Sequence, residues 1–169
     1  MKKFRLESSG QVTAKFESRE AELLVQLARD TGALLAGADQ VAEPSTDPAL
    51  LRLLPNAYPD DAEASAEFRR FTAAGLAERK VQNSEIVADS LTNPKGSRVT
   101  VQLDPQGVQA WLRTLTDIRL VLASRLGIEH DGDLGFRGNA SNRHRALIYS
   151  WVGYVQESLL HALNSQPKR

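Results

Sequence analysis

One group of acidic residues has the donor types that could hold a cation. Glu129, His130, Asp131 and Asp133 offer carboxylate and imidazole ligands within five positions. Their spacing does not continue into a calcium loop, because no glutamate closes the cycle at the required distance and the glycines fall elsewhere. We therefore predict no metal site here. The same stretch is rich in glycine, which predicts a long irregular loop over residues 128–141.

A basic group follows directly, at the predicted start of the last helix. Arg143, His144 and Arg145, with Arg137 nearby, form the densest positive cluster of the chain. Positive charge is unfavourable at the positive end of a helix dipole unless an anion lies beside it. The cluster is therefore either a solvated helix start or a contact for phosphate, carboxylate or DNA through Arg143 and Arg145.

A second basic group lies in a long helical pattern that runs from residue 60 towards residue 93. It contains Arg69, Arg70, Arg79 and Lys80. If residues 73–75 form a turn, two helices with a glycine-containing connection result, which is the outline of a DNA-binding helix-turn-helix with a strand behind it as a wing. The alternative is an ordinary packed helix with a solvated charged face, because few basic residues are present to neutralise phosphates.

Composition excludes several function classes. The chain of 169 residues has no cysteine, so thiolate catalysis, disulfides and zinc–thiolate or iron–sulfur sites cannot be built from it. His144 and His161 are too far apart to act as neighbours on one helix, and no nucleophile motif is present. We expect a protein that is not an enzyme and that binds no cofactor and no metal. Equal numbers of acidic and basic residues, 21 each, indicate no general attraction to nucleic acid or membranes.

The remaining elements are arranged around one helix that the sequence delimits at both ends. Asp104 is suited to cap the first turn, and Pro105 fits the first helical position. Apolar residues then recur at steps of three and four up to Gly127, which can take the left-handed conformation that ends a helix. Arg125 places positive charge near the negative end of the dipole.

Three charged residues lie on or beside the apolar face of this helix. Arg113 and Asp117 are four apart, the spacing of a surface ion pair of small energetic value. The second interpretation is that Asp117 and Arg119 reach partners on another helix, since a half-buried charge must be paired.

The other segments complete a mainly α fold. Residues 1–17 alternate around Ser8, Ser9 and Gly10 and predict a β-hairpin, and residues 98–103 predict a third strand that joins it in a small antiparallel sheet. We predict a single domain over residues 1–169 with about five helices. The segments assigned to them are residues 18–37 capped by Ser18, residues 49–54 behind Asp47 and Pro48, the pattern over 60–93, residues 105–126, and a last helix capped by Ser141 or Asn142. Residues 38–48 predict a surface loop, and residues 165–169 a frayed polar tail.

The last helix carries a broad set of apolar residues in the sequence. They are Leu147, Ile148, Trp151, Val152, Val155, Leu159, Leu160 and Leu163. We expect these side chains to face the core. Aromatic residues at helical spacing, such as Trp111, Trp151 and Tyr154, are also expected to be core residues in preference to a binding platform.

Four motifs together resemble a known family. They are Leu53–Tyr58, Ala66–Arg70, Trp111–Leu122, and Ile148–Trp151 with Gln156–Leu159. The set is similar to the AosR-like family of actinobacteria, which was long catalogued only as a domain of unknown function and whose name implies an oxidative-stress transcription regulator. The resemblance covers nearly the full chain and brings no catalytic residues with it. Because the chain has no cysteine, either this member does not sense oxidants by thiol chemistry, or it acts through partners that sense them in this way.

The functional expectation combines these points. We expect a cytoplasmic, non-enzymatic regulator that contacts protein partners, including transcription machinery, or DNA, and that forms a homodimer. The chain has no membrane-spanning or signal-peptide pattern. The alternatives are an adaptor with no DNA role and an enzyme whose pocket has no local signature.

Overall fold

The computed structural model describes residues 1–38, 46–55, 60–61, 63, 67, 74–92, 97–130 and 140–165. Over these residues the chain is mainly α, with five helices and one small antiparallel sheet, as predicted. The strands are β1 (Lys2–Leu6), β2 (Val12–Glu17) and β3 (Arg98–Leu103). The helices are α1 (Ser18–Ala38), α2 (Pro48–Leu53), α3 (Ala74–Ser90), α4 (Pro105–Leu126) and α5 (Ala140–Leu163).

The sheet has the strand order β1-β2-β3, and both strand pairs are antiparallel. Along β3 every second side chain is buried, as expected for a sheet with one face on the core. The hairpin turns at Gly10, which has a φ of 83° that an L residue rarely adopts. At the β1 edge of the sheet, the Phe4 amide donates a hydrogen bond of 3.0 Å to Ser158 Oγ of α5. The predicted hairpin and third strand are confirmed.

Trp111 of α4 lies at the centre of the core. Its side chain is completely buried, and its ring contacts Phe4 of β1 edge-to-face and Phe16 of β2 in a stacked arrangement, with centroid distances of 5.4 and 5.7 Å. The indole N–H donates to Ser90 Oγ of α3 at 3.1 Å, so the one polar atom of the ring is satisfied. A single side chain thus joins the sheet to two helices, and the prediction that Trp111 is a core residue is confirmed.

Both ends of α4 lie where the sequence predicts them. The Gly107 amide donates to the Asp104 carboxylate at 2.7 Å, and Pro105 occupies the first helical position. Gly127 has a φ of 67°, in the left-handed region, and its N–H donates to the Ser124 carbonyl. These contacts satisfy backbone groups that the helix itself leaves without partners.

Helix α2 is short, and polar contacts hold it against α4. Asp47 accepts a hydrogen bond from the Ala49 amide and forms two further bonds with the Arg125 guanidinium. The hydrogen bonds from Arg125 hold the pKa of Asp47 below its usual value. Arg52 of α2 donates to the Ile128 carbonyl just beyond α4. Arg125 therefore has a partner on another element, in addition to its place near the helix dipole.

Helix α1 starts differently from the prediction. Ser18 is already the first helical residue, and its hydroxyl donates to the Ser97 carbonyl at 3.0 Å. The carboxylate of Glu20 accepts a hydrogen bond from the Glu17 amide at this helix start. Ser18 therefore ties the helix start to the chain before β3. Further along, α1 lies very close to α3: a Cβ added at Gly32 would be 2.5 Å from Ser84 Oγ.

Helix α5 departs from the prediction in two ways. Ser141 and Asn142 are both inside the helix, which already includes Ala140, so neither is its N-cap. The expected apolar face is also too broad. Of the expected set, Val152, Val155 and Leu159 are buried, Ile148 and Trp151 are half-buried, and Leu147, Leu160 and Leu163 are exposed. Tyr154 is also exposed, so the prediction that it is a core residue is wrong. The reason is that the sheet and α4 together cover only part of the circumference of α5.

Several predictions fall on residues outside those described. They concern most of the loop over 38–48, most of the first helix of the helix-turn-helix outline, the glycine-rich stretch over 131–139, and residues 166–169. Arg69, Arg70 and Arg137 belong to these parts of the chain, as do Asp131 and Asp133 of the acidic group. Of the turn predicted over residues 73–75, Ala74 and Gly75 are described and already belong to α3, so these two positions form no turn.

Candidate functional site

The exposed apolar side chains of the described structure are concentrated on α5. Among the described residues five large hydrophobic residues are exposed, and four of them, Leu147, Tyr154, Leu160 and Leu163, belong to α5. Leu147 is the most exposed of the five, with a relative exposure of 63%. The fifth residue, Leu51, lies on α2. Single exposed apolar residues are ordinary on a protein surface, whereas contiguous apolar patches are typical of interaction sites.

Two of these residues belong to one continuous line along the helix. Successive helical residues are rotated by about 100°, so steps of four and three keep side chains on one face. The exposed residues with this spacing are Arg143, Leu147, Ser150, Tyr154, Glu157 and His161. We call them the α5 stripe. The ammonium of Lys3 lies 5.5 Å from the centroid of the Tyr154 ring, which helps to fix the ring in place.

The other two exposed residues, Leu160 and Leu163, are three positions apart near the end of α5. We call them the leucine pair. Their exposed fractions are 45% and 38%. At 3.6 residues per turn they lie on the opposite side of the buried face from Leu147 and Tyr154. Helix α5 thus has an exposed apolar edge on each side of the face that packs against the core.

A buried ion pair joins α3 to α4. The Lys80 ammonium donates to Oδ1 of Asp117, and the exposed fractions of the two side chains are 19% and 4%. Burial raises the pKa of the Asp117 carboxyl, and the Lys80 ammonium opposes that rise by stabilising the charged form. Arg113, the other candidate partner of Asp117, is exposed to solvent. Asp117 therefore takes its partner from another helix.

Arg119 of α4 makes the corresponding contacts with α5. Its guanidinium donates to Gln156 Oε1 at 2.9 Å and to the Tyr149 hydroxyl at 3.3 Å, and it lies over the Tyr149 ring. The Gln156 amide in turn donates to Thr116 Oγ1 of α4 at 2.7 Å. These bonds fix how α5 lies on α4, and so determine which of its residues remain exposed.

The basic residues proposed for DNA do not share one exposed face in the part of the chain that is described. Lys80 points towards α4, because its ammonium is bonded to Asp117, and so it is not a free phosphate contact. Arg79 and Arg143 are exposed, on α3 and α5 respectively. Arg145 is half-buried and donates to the Asn142 side chain at 3.0 Å. The ion pair with the buried Asp117 carboxylate makes Lys80 less available to a phosphate, and contact of the other basic residues with DNA stays a prediction.

A cleft of about 290 Å³ lies between α1, α4 and the start of α5. Leu27, Ile118, Val121, Leu122 and Ile148 form its apolar part, and Asp30, Thr31, Ser141, His144 and Arg145 its polar part. The volume is at the lower end of the range for small-molecule sites. Between the described Ser141 hydroxyl and His144 imidazole there is no hydrogen bond, so His144 does not act as a base on Ser141 in this arrangement.

The described residues contain neither a metal-binding cluster nor a membrane-spanning helix. No three or more His, Asp or Glu side chains lie together in a way that could hold a metal ion. No described helix is long and apolar enough to cross a membrane.

A comparison with protein families places the chain. A family model described as "Domain of unknown function (DUF2017)" matches residues 1–163. The chain belongs to the DUF2017 family. No curated protein and no solved structure matches this DUF2017 chain. Its exposed and buried residues are therefore the evidence on which a function for this DUF2017 member must be argued.

Sequence reasoning missed part of the site of this DUF2017 protein. The α5 stripe has the regular spacing of 4-3-4-3-4, which is visible in the sequence, but four of its six members are polar. The spacing alone therefore resembles any solvated helix face. The signal that distinguishes the α5 stripe is the exposure of Leu147 and Tyr154 within it, which depends on where the sheet and α4 end.

Proposed function

We propose that this chain is a non-enzymatic regulatory protein that acts by binding other proteins through the exposed surface of α5. The observation that carries the proposal is the concentration of exposed large apolar side chains on that helix. Apolar residues on a protein surface lose water when a partner covers them, so the exposed pair on each edge of α5 favours association. The resemblance to the AosR-like family suggests the context, which is regulation of transcription under oxidative stress.

The rigidity of α5 supports this role. Two sets of contacts fix the helix: Arg119 with Gln156 and Tyr149 on the α4 side, and Ser158 with the Phe4 amide on the sheet side. A surface that is already ordered loses little conformational entropy when a partner binds. The exposed leucines are therefore presented on a fixed scaffold, which favours a specific contact.

Direct reading of DNA is the competing function, and the geometry supports it less. Of the four basic residues in the helix-turn-helix outline, Lys80 is bonded to Asp117 and Arg79 is exposed. A protein that neutralises several phosphates shows binding that weakens steeply with salt.

Because the chain has no cysteine, a response to oxidation through a thiol would belong to the protein partner.

Duplex binding separates the two functions. We expect the purified chain to show no measurable binding to a short random duplex at low salt, because its acidic and basic residues balance. Fluorescence anisotropy at low and physiological salt measures this, with Arg69, Arg70 and Arg79 changed together to alanine as the variant. Lys80 is left unchanged because its loss would expose Asp117 as an unpaired charge. Salt-sensitive binding that disappears in the triple variant would establish DNA reading and contradict the proposal.

A further inference from the structure

We infer that the α5 stripe is the contact surface of a homodimer in which the α5 helices of two copies pair antiparallel. The inference rests on the proposed function, because it names the partner for one of the two exposed edges of α5. Its members, Arg143, Leu147, Ser150, Tyr154, Glu157 and His161, are all exposed.

The spacing of the α5 stripe fits helix pairing. Side chains at alternating steps of four and three form the seam of helices that pack side by side at a small crossing angle. The stripe keeps this spacing over the fourteen steps from Arg143 to Glu157, which is about 21 Å of helix at a rise of about 1.5 Å per residue, and His161 extends it by one further step of the pattern. A seam of this length exceeds that of a casual contact between two surface residues.

Charge determines the direction of the second helix. Arg143 and Glu157 each lie seven residues from Ser150, one on either side, or about 10 Å along the axis. If two copies pair antiparallel about Ser150, Arg143 of each copy is level with Glu157 of the other. A parallel pair would instead place Arg143 against Arg143 and Glu157 against Glu157. Since like charges across a contact are costly, the sequence of the stripe selects the antiparallel arrangement.

The apolar residues fit the same register. With Ser150 at the centre, Leu147 of one copy lies about 1.5 Å along the axis from the level of the other copy's Tyr154. The symmetric operation creates this contact twice, as it does the ion pair. Ser150 has a small side chain, so the two backbones can approach at the crossing point. Leu147 and Tyr154, exposed in the single chain at 63% and 41%, would be covered.

The charged members are available for such pairs. Neither Arg143 nor Glu157 has a hydrogen bond or ion pair with another residue in the described ranges, and both side chains are exposed. Lys3 of the edge strand lies over the Tyr154 ring, and among the described residues it forms no ion pair with Glu157. The contact therefore requires no existing interaction of the fold to break.

A charge-reversal experiment tests the inference on the full chain. Arg143→Glu places four carboxylates at the contact of two copies, and Glu157→Arg places four guanidinium groups there. Each single change is expected to raise the dimer dissociation constant at least about tenfold, since like charges across a contact cost several kcal/mol. The double variant Arg143→Glu/Glu157→Arg restores both pairs with the charges exchanged and should return to within about threefold of the unchanged protein.

Sedimentation velocity over about 1 μM to 1 mM measures the dissociation constants. Arg79→Glu, an exposed arginine on α3, is the matched control and should leave dimerisation unchanged, and circular dichroism verifies that every variant is folded. The inference is overturned if the unchanged protein is monomeric throughout, if the single reversals leave the dimer intact, or if the double variant fails to recover. A monomeric protein that still contacts a different protein through Leu160 would end this inference and leave the proposed function standing.

Discussion

Replacing Trp111 with alanine is expected to lower the free energy of unfolding by about 3–5 kcal/mol, the range for removing a large buried aromatic side chain. The indole is completely buried and contacts both Phe4 and Phe16, so its loss leaves a cavity between the sheet and α4. The hydrogen bond from its N–H to Ser90 Oγ is lost as well. Urea denaturation followed by circular dichroism at pH 7 measures the change.

A conservative variant separates the contribution of the aromatic ring to stability from that of its hydrogen bond. Trp111→Phe keeps an aromatic ring among Phe4 and Phe16 but cannot donate to Ser90, so we expect a smaller loss of about 1–2 kcal/mol. Leu51→Ala is the control for an apolar truncation on the surface, because that side chain is 51% exposed. A loss below about 1 kcal/mol in Trp111→Ala would contradict the central place of this residue in the core.

Replacing Lys80 with methionine is expected to lower the free energy of unfolding by on the order of 3 kcal/mol at pH 7, because it leaves a buried carboxylate without its counter-ion. The Asp117 side chain is only 4% exposed, so water cannot replace the ammonium. Methionine has a similar length and keeps the packing between α3 and α4. Arg79→Met is the matched control, since it removes an exposed cation one position away and should change stability by less than about 0.5 kcal/mol.

The pH dependence gives a sharper test of the same pair. Burial raises the pKa of Asp117 above its ordinary value of 3.8, and removal of Lys80 raises this pKa further. The unfolded chain then releases the proton at lower pH than the folded chain does, so stability is lost as pH rises through the raised pKa. The deficit of Lys80→Met relative to Arg79→Met should therefore shrink as the pH falls from 7 towards 4.

A double variant that also changes Asp117 tests whether the unpaired carboxylate causes the loss of stability. Lys80→Met/Asp117→Leu removes both charges and fills the space with apolar groups, which is often neutral or stabilising for a buried pair. We expect this double variant to recover most of the lost stability and to show no pH dependence from this site. A deficit that persists unchanged in the double variant, or that is independent of pH in the single one, would contradict the assignment.

The sequence predicts those features of the fold that depend on neighbouring residues. Asp104, Pro105 and Gly127 delimit α4 because a capping carboxylate and a left-handed glycine act within one turn of the helix. Exposed and buried residues alternate along β3 for a similarly local reason, since successive side chains of a strand point to opposite faces and only one face is covered. Ser18 is the exception among local signals, because its hydroxyl bonds to Ser97, which is distant in the sequence.

The site depends on contacts that the sequence does not contain locally. Periodicity identifies the apolar residues of α5, but it cannot tell that Leu147 and Leu160 lie beyond the edges of the elements that cover the helix. Likewise, Asp117 lies visibly on an apolar face, yet its partner Lys80 comes from a helix 37 positions earlier. The sequence allows a partner on the same helix or on another one, and the packing of α3 on α4 selects the second.

The central claim is that α5 contacts another protein, and the leucine pair tests it apart from the dimer. A photo-crosslinking residue is placed at Leu160 in the full chain, and in a separate variant at Gln82, an exposed position of α3, as the control. Both variants are expressed in the native cells, irradiated, and analysed by mass spectrometry with a protein and a nucleic-acid readout. Leu160 lies on the opposite edge of α5 from the α5 stripe, so its crosslinks do not depend on the proposed dimer. A crosslink to a second copy of the chain is recognised by its mass.

A protein contact at α5 predicts that the Leu160 position crosslinks to a defined protein other than a second copy, and that the Gln82 position does not. Changing Leu163 to aspartate in the same variant should abolish this crosslink, because Leu163 is the other half of the leucine pair. Crosslinks to DNA, no protein crosslink from Leu160, or equal protein crosslinks from Leu160 and Gln82 would contradict it.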